Sequence, residues 1–128
     1  MNDHTSTLND LKKLMAQFVH EREWQKYHTP KNLSMSIAIE AAELMEIFQW
    51  VSEQDSQSVL ERNREEISNE LADIFSYIVS FCNLYNIDLA CALENKLKIN
   101  AKKYPIEKVK GSYENYLEVK KSLKKDVK

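Results

Sequence analysis

A chain of 128 residues with a formal net charge of −2 at pH 7 suits one domain around a single core, and it carries no excess of positive charge for nucleic acid or an anionic membrane surface. One Gly and two Pro leave few chain breakers, which favours long helices and argues against a sheet with many turns. No apolar run approaches membrane-spanning length, and the opening "MNDHTSTLND" lacks a signal-peptide core, so the expectation is a cytoplasmic protein with neither a nucleic-acid nor a membrane partner. Cys82 and Cys91 match no zinc spacing and are expected to be reduced and half-buried.

The first helix is predicted over Leu8–Tyr27, capped by Thr7 with Asp10 at N3 as a capping box. Leu8, Leu11, Met15, Phe18 and Arg22 recur at three and four and give it one face. "YHTPKNLS" breaks the pattern, and two starts are open for the second helix: Pro30 at N1 behind a Thr29 cap, or a later start at Ser34. That helix is predicted to reach Val51. "SEQDSQS" reads as a polar connection with little to order it. A long third helix is predicted over Val59–Tyr85, with Asn86 as a left-handed stop and Asp88 as the next cap. The fourth helix runs over Leu89–Lys103, and Pro105 ends it. The remainder is Lys-rich and interrupted by Gly111. Ser112–Leu123 reads as a short amphipathic helix with Tyr113, Tyr116, Leu117 and Leu123, and the last five residues as frayed. The expected fold is all-α: a four-helix-bundle-like core over 1–105 and a partly helical extension over 106–128, assembled as an oligomer.

Two pairs of carboxylates interrupt this apolar pattern. On a helical wheel Ile37, Ala41, Leu44, Phe48 and Val51 form the stripe of the second helix, and Glu40 and Glu43 lie on its edge beside Ser36, Ile47 and Trp50. On the third helix Ile67, Leu71, Ile74, Ile78 and Cys82 form the stripe, with Glu70 and Asp73 on its edge and Tyr77 further along; Glu66 lies one turn before Glu70. Residues three apart are helical neighbours. If the two helices pair antiparallel, four carboxylates converge. Four anions beside a core repel one another and lose solvation unless something positive offsets them. The chain supplies little: no Lys or Arg lies between Lys31 and Arg62, or between Arg64 and Lys96. An all-oxygen set selects a hard cation, Mg²⁺ or Mn²⁺. No Glu-x-x-His occurs, the pattern di-iron bundles need.

The order Glu40-x-x-Glu43, 26 residues, Glu70-x-x-Asp73 resembles the MazG-like, all-α nucleoside triphosphate pyrophosphohydrolases, nearest to their dCTP pyrophosphatase-like branch. "FVHEREWQKYHTPKNLSMSIAIEAAELMEIFQW", "EEISNELADIFSYIV" and "NKLKINAKKYP" carry the likeness in order, over about Phe18–Pro105. It implies that Glu40, Glu43, Glu70 and Asp73 hold Mg²⁺, and that a triphosphate is cut between its α- and β-phosphates. It also implies a base and sugar pocket at Trp24 and Trp50, and substrate contacts from Tyr77 and from His28 and Asn32 of the "YHTPKN" loop. Lys96, Asn100, Lys103 and Tyr104 of the last block fit a cationic, hydrogen-bonding wall for phosphates. Met15 departs from the pattern, because related members carry a polar residue there, often His. The family forms homotetramers, dimers of dimers, with sites built by more than one chain. The competing reading is a non-catalytic helical module that binds a nucleotide or a protein partner through the same face.

Overall fold

The computed structural model describes residues 1–126. It is all-α: α1 Leu8–Glu21, α2 Pro30–Phe48, α3 Ser56–Arg62, α4 Arg64–Leu84, α5 Leu89–Lys103, α6 Ile106–Val109 and α7 Tyr113–Lys125, with 3₁₀ turns at Trp24–Tyr27 and Glu53–Asp55. No strand occurs among the described residues. No single helix among them is long and apolar enough to cross a membrane.

The starts of α1, α2, α5 and α7 follow the sequence, whereas α3 begins at Ser56, earlier than the expected Val59. Thr7 accepts from the Asp10 amide while Asp10 accepts from the Thr7 amide, a complete capping box. Thr29 caps α2 through the Asn32 amide with Pro30 at N1, which settles the choice against Ser34. Asp88 caps α5 through the Cys91 amide, and Ser112 caps α7 through the Asn115 amide.

Several helix limits differ from expectation. α1 stops at Glu21, because Glu23 turns left-handed at φ 52° and the chain re-enters as the 3₁₀ turn Trp24–Tyr27. Arg22 secures this end: its guanidinium lies 3.7 Å from the Phe18 ring centroid and donates to the Phe18 carbonyl. α2 stops at Phe48, where Gln49 and Val51 donate to carbonyls only three residues back and tighten the exit. The predicted long helix is two, because Asn63 leaves helical geometry at φ −112° and ψ 25° between α3 and α4, where the Val59 carbonyl accepts from both its backbone amide and its side-chain amide. "SEQDSQS" is ordered: Ser52 caps the Glu53–Asp55 turn, and Ser56 opens α3. The left-handed stop at Asn86 is present at φ 53°, with the Ile87 amide reaching back to the Cys82 carbonyl. The helix α7 extends to Lys125, past the expected fraying point, while the last two residues of that expected frayed end lie outside the described residues.

The chain forms two compact units, Met1–Ile87 and Asp88–Lys128. In the first, α4 packs against α2 and α1. Tyr77 of α4 meets His28, just before α2, whereas Glu70 meets Glu43 further along α2. The two helices therefore run antiparallel. α1 also opposes α4, since Asn83 and Ile87, near the end of α4, bond Lys12 near the start of α1. The buried set among the described residues is small: Val19, Leu33, Val59, Ile67, Val79, Ser80 and Cys82. Leu71, expected in the stripe, is 52% exposed, and Phe18 and Phe75 are also exposed. The cysteines are free and unlike each other, Cys82 buried and Cys91 exposed. In the second unit α6 and α7 pack together, and the Tyr104 ring packs at a tilt against Tyr116 with centroids 5.2 Å apart.

Candidate metal centre and substrate groove

Antiparallel pairing of α2 and α4 brings the two sequence-distant carboxylate pairs to one place. Glu40, Glu43 and Glu70 each offer an oxygen within 4.8 Å of the others. Asp73 lies outside this tightest group, yet it is close enough for its charge to act on both Glu40 and Glu70. Burial, and then repulsion from Glu43, Asp73 and Glu70, pushes the Glu40 carboxyl above its ordinary value. Burial, and then Glu43, Asp73 and Glu66, does the same to Glu70. Glu66 thus contributes charge from one turn away.

The donor set fits a hard, oxygen-preferring cation. Glu70 Oε2 is buried with no hydrogen-bond partner, an arrangement that costs free energy unless a positive group meets it. Among the described residues the ion pairs are Arg22–Glu21 and Lys98–Glu94, and neither involves the cluster.

Beside the carboxylates the same two helices border an open groove of about 360 Å³, lined by His28, Asn32, Ser36, Ile39 and Tyr77 among others. Ser36 stands one turn before Glu40, and Tyr77 one turn after Asp73, so the groove adjoins the acidic cluster along both helices. Asn32 is fixed by donating its amide to the Tyr27 carbonyl at 2.9 Å. The His28 carbonyl accepts from Tyr85 Oη at 2.9 Å, while its ring Nδ1 is buried without a partner, and burial pulls its pKa down. A line of rings follows: Phe18 to Trp24 at 5.7 Å, Trp24 to His28 at 6.5 Å and His28 to Tyr77 at 6.3 Å. A second hollow of about 350 Å³, lined by Arg62, Asn63, Glu65, Glu66 and Asn69, opens on the far side of Glu70.

Four of the expected substrate residues, Trp24, His28, Asn32 and Tyr77, therefore lie together in the first unit. Trp50 does not join them on the helix: α2 ends before it, and it is 90% exposed, so its wheel position beside Glu43 is not realised. Lys96, Asn100 and Lys103 stand on α5 and Tyr104 is its C-cap, all in the second unit. Met35 and Ile39, which also line the groove, were not singled out by periodicity because they lie off the stripe.

The MazG-like family model matches residues 35–119, spanning both carboxylate pairs. The chain belongs to the MazG-like family. It is 35% identical to human dCTP pyrophosphatase 1 over 115 residues, covering 88% of this chain and 68% of that protein. Bovine dCTP pyrophosphatase 1 is 34% identical over the same coverage. The crystal structure of a pyrophosphatase from Archaeoglobus fulgidus DSM 4304 superposes with a TM-score of 0.76 at 40% identity, covering 82% of this chain and 98% of that one.

Proposed function

We propose that this protein is a Mg²⁺-dependent nucleoside triphosphate pyrophosphohydrolase that cuts between the α- and β-phosphates, releases the monophosphate and pyrophosphate, and removes dCTP-like or non-standard nucleotides. The enzyme class, a nucleoside triphosphate pyrophosphohydrolase, is that of the family and its named relatives. The metal, the bond cut and the base preference are our reading.

One observation carries it: Glu40, Glu43 and Glu70 converge beside a core, with a buried, unpartnered oxygen on Glu70. With Asp73 they would hold Mg²⁺, or Mn²⁺ of similar ligand preference. When bound, such a cation neutralises triphosphate charge and makes bound water more acidic. The four carboxylates orient that ion, and one of them serves as general base for the attacking water. In the adjoining groove Tyr77, His28 and Asn32 offer polar contacts to the sugar and phosphates, and Trp24 offers a ring face for the base. Lys96, Asn100, Lys103 and Tyr104, on α5 and its C-cap, are our further candidates for phosphate contacts, by their cationic and hydrogen-bonding side chains.

The working form is a cytoplasmic homo-oligomer, a tetramer built as a dimer of dimers. An apolar groove of about 400 Å³ between α1 and α4, lined by Leu11, Leu14, Phe18 and Phe75, supports this, as do the many exposed apolar side chains.

The test is incubation with Mg²⁺ and each common dNTP and NTP, with products resolved by anion-exchange chromatography. Monophosphate and pyrophosphate are expected, lost on chelation and lost in Glu70→Ala with helix content intact. Diphosphate and phosphate would overturn the bond assignment. Nucleotide binding with no product would favour the non-catalytic module.

A further inference from the structure

His28 is held twice by α4. Its ring centroid lies 6.3 Å from that of Tyr77, and its carbonyl accepts from the Tyr85 hydroxyl at 2.9 Å. Tyr77, Phe81 and Tyr85 recur every four residues, so they stand along one face at the end of α4. Tyr85 is the C-cap of that helix, and its ring packs against Phe81 with centroids 5.2 Å apart, which limits where its hydroxyl can point. The bond joins residues 57 apart in sequence, from the end of α4 to the loop that opens α2.

That loop has little else to place it. The chain enters through the left-handed Glu23 and the turn Trp24–Tyr27, and His28 leaves helical geometry at φ −87° and ψ 54°. Its other bonds are local. The His28 amide donates to the Gln25 carbonyl, the Asn32 side chain to the Tyr27 carbonyl, and the Asn32 amide to the Thr29 hydroxyl. Such bonds shape a loop without seating it on the rest of the fold. Among the described residues, the bond from Tyr85 is the one hydrogen bond that ties residues 28–32 to another helix.

We infer that Tyr85 is a positioning residue for substrate binding: its hydroxyl seats the loop at His28, and with it the polar wall that His28 and Asn32 present to the groove. The inference rests on the triphosphate pyrophosphohydrolase reading of the adjoining acidic cluster. His28 and Asn32 line the groove from the loop and the first turn of α2, and Tyr77 lines it from α4. The groove's width is therefore the separation of the loop from α4, which the Tyr85 bond spans. The carboxylates are set differently. Glu40 follows Asn32 by two helical turns, about 12 Å, and Leu33, 1% exposed, anchors α2 between the loop and the cluster. A loosened loop thus moves the substrate contacts and leaves the carboxylates in register. Substrate should be held less well while the bound substrate reacts at its usual rate.

The experiment compares wild type with Tyr85→Phe, which removes the hydroxyl and keeps the ring against Phe81. Steady-state kinetics use Mg²⁺ and the common dNTP that wild type cleaves fastest, and hydrogen–deuterium exchange is followed on the free proteins. In the variant KM should rise about three- to tenfold with kcat within about twofold. Exchange over residues 27–33 should quicken about three- to tenfold, while amides around Glu40 and Glu70 keep their protection. An unchanged KM, or a fall in kcat alone, overturns the inference. A raised KM with unchanged exchange also overturns it, because the hydroxyl then acts on substrate directly rather than through the loop. If wild type releases pyrophosphate from no dNTP, the catalytic reading fails, and the same pair is compared by calorimetry with dCTP. There a Kd weakened about three- to tenfold supports the role of Tyr85, and an equal Kd overturns it.

Discussion

Glu40 of α2 and Glu70 of α4, thirty residues apart in sequence, present carboxylate oxygens within 4.8 Å of each other, and each is held above the usual carboxylate range. Such a pair destabilises the metal-free fold and is relieved by either a cation or a lost charge. Glu70→Gln should therefore raise the metal-free Tm while abolishing Mg²⁺-dependent turnover. Mg²⁺ should raise the Tm of wild type and have little effect on the variant. Thermal unfolding with and without chelator checks this. A lower metal-free Tm in the variant would mean that the carboxylate has a stabilising partner.

His28 gives a pH signature away from the acidic cluster. Burial lowers its pKa below the ordinary 6.5, so the folded state resists protonation more than the unfolded chain does. Its contribution is intact above the unfolded pKa and is lost as pH falls through 6.5 toward the folded value. Wild type should lose Tm between about pH 7 and pH 5 by an increment that His28→Asn lacks. Parallel pH slopes for the two proteins would refute the assignment.

Glu23 holds φ 52°, a left-handed conformation that side chains disfavour. Glu23→Gly should stabilise by about 1 kcal/mol, and Glu23→Val should destabilise by at least as much. Urea unfolding of the three proteins at one pH measures both signs. Stabilisation by Val would show that the turn before Trp24 rearranges.

Leu33 is 1% exposed, the most buried side chain on α2. Leu33→Ala should cost about 2–5 kcal/mol and lower the Tm on the order of 10 °C, because the small core has few other contacts to close the cavity. A loss under 1 kcal/mol would mean that the site collapses freely.

Phe75 is 38% exposed on the apolar groove between α1 and α4. If a second copy covers that face, Phe75→Glu should shift the protein to smaller species in sedimentation velocity while keeping its helix content. An unchanged sedimentation coefficient would place the interface elsewhere.

Much of this molecule was legible in the chain. The caps at Thr7 and Asp88, and Thr29 as one of two starts, were readable because each is a local exchange between one side chain and a backbone amide three residues away, and the stop at Asn86 because Asn tolerates a left-handed backbone. The carboxylate pairs were readable because helical spacing puts residues three apart side by side, and because the surrounding sequence holds no cation. The breaks at Glu23 and Asn63 were not. Both residues are tolerated within helices, and the breaks are backbone departures at φ 52° and φ −112° that no residue type there announces.

The sequence by itself determined that the chain is all-α, where α1 and α5 begin, and which four carboxylates stand apart from solvating partners, since these depend on neighbours within a turn or two. Only the tertiary structure decided that Glu40 and Glu43 face Glu70, that Trp50 stands in solvent beyond its helix, and that the Tyr85 hydroxyl reaches the His28 carbonyl. Those relations cross between helices. They are fixed by how α1 and α2 pack against α4, which no local spacing encodes.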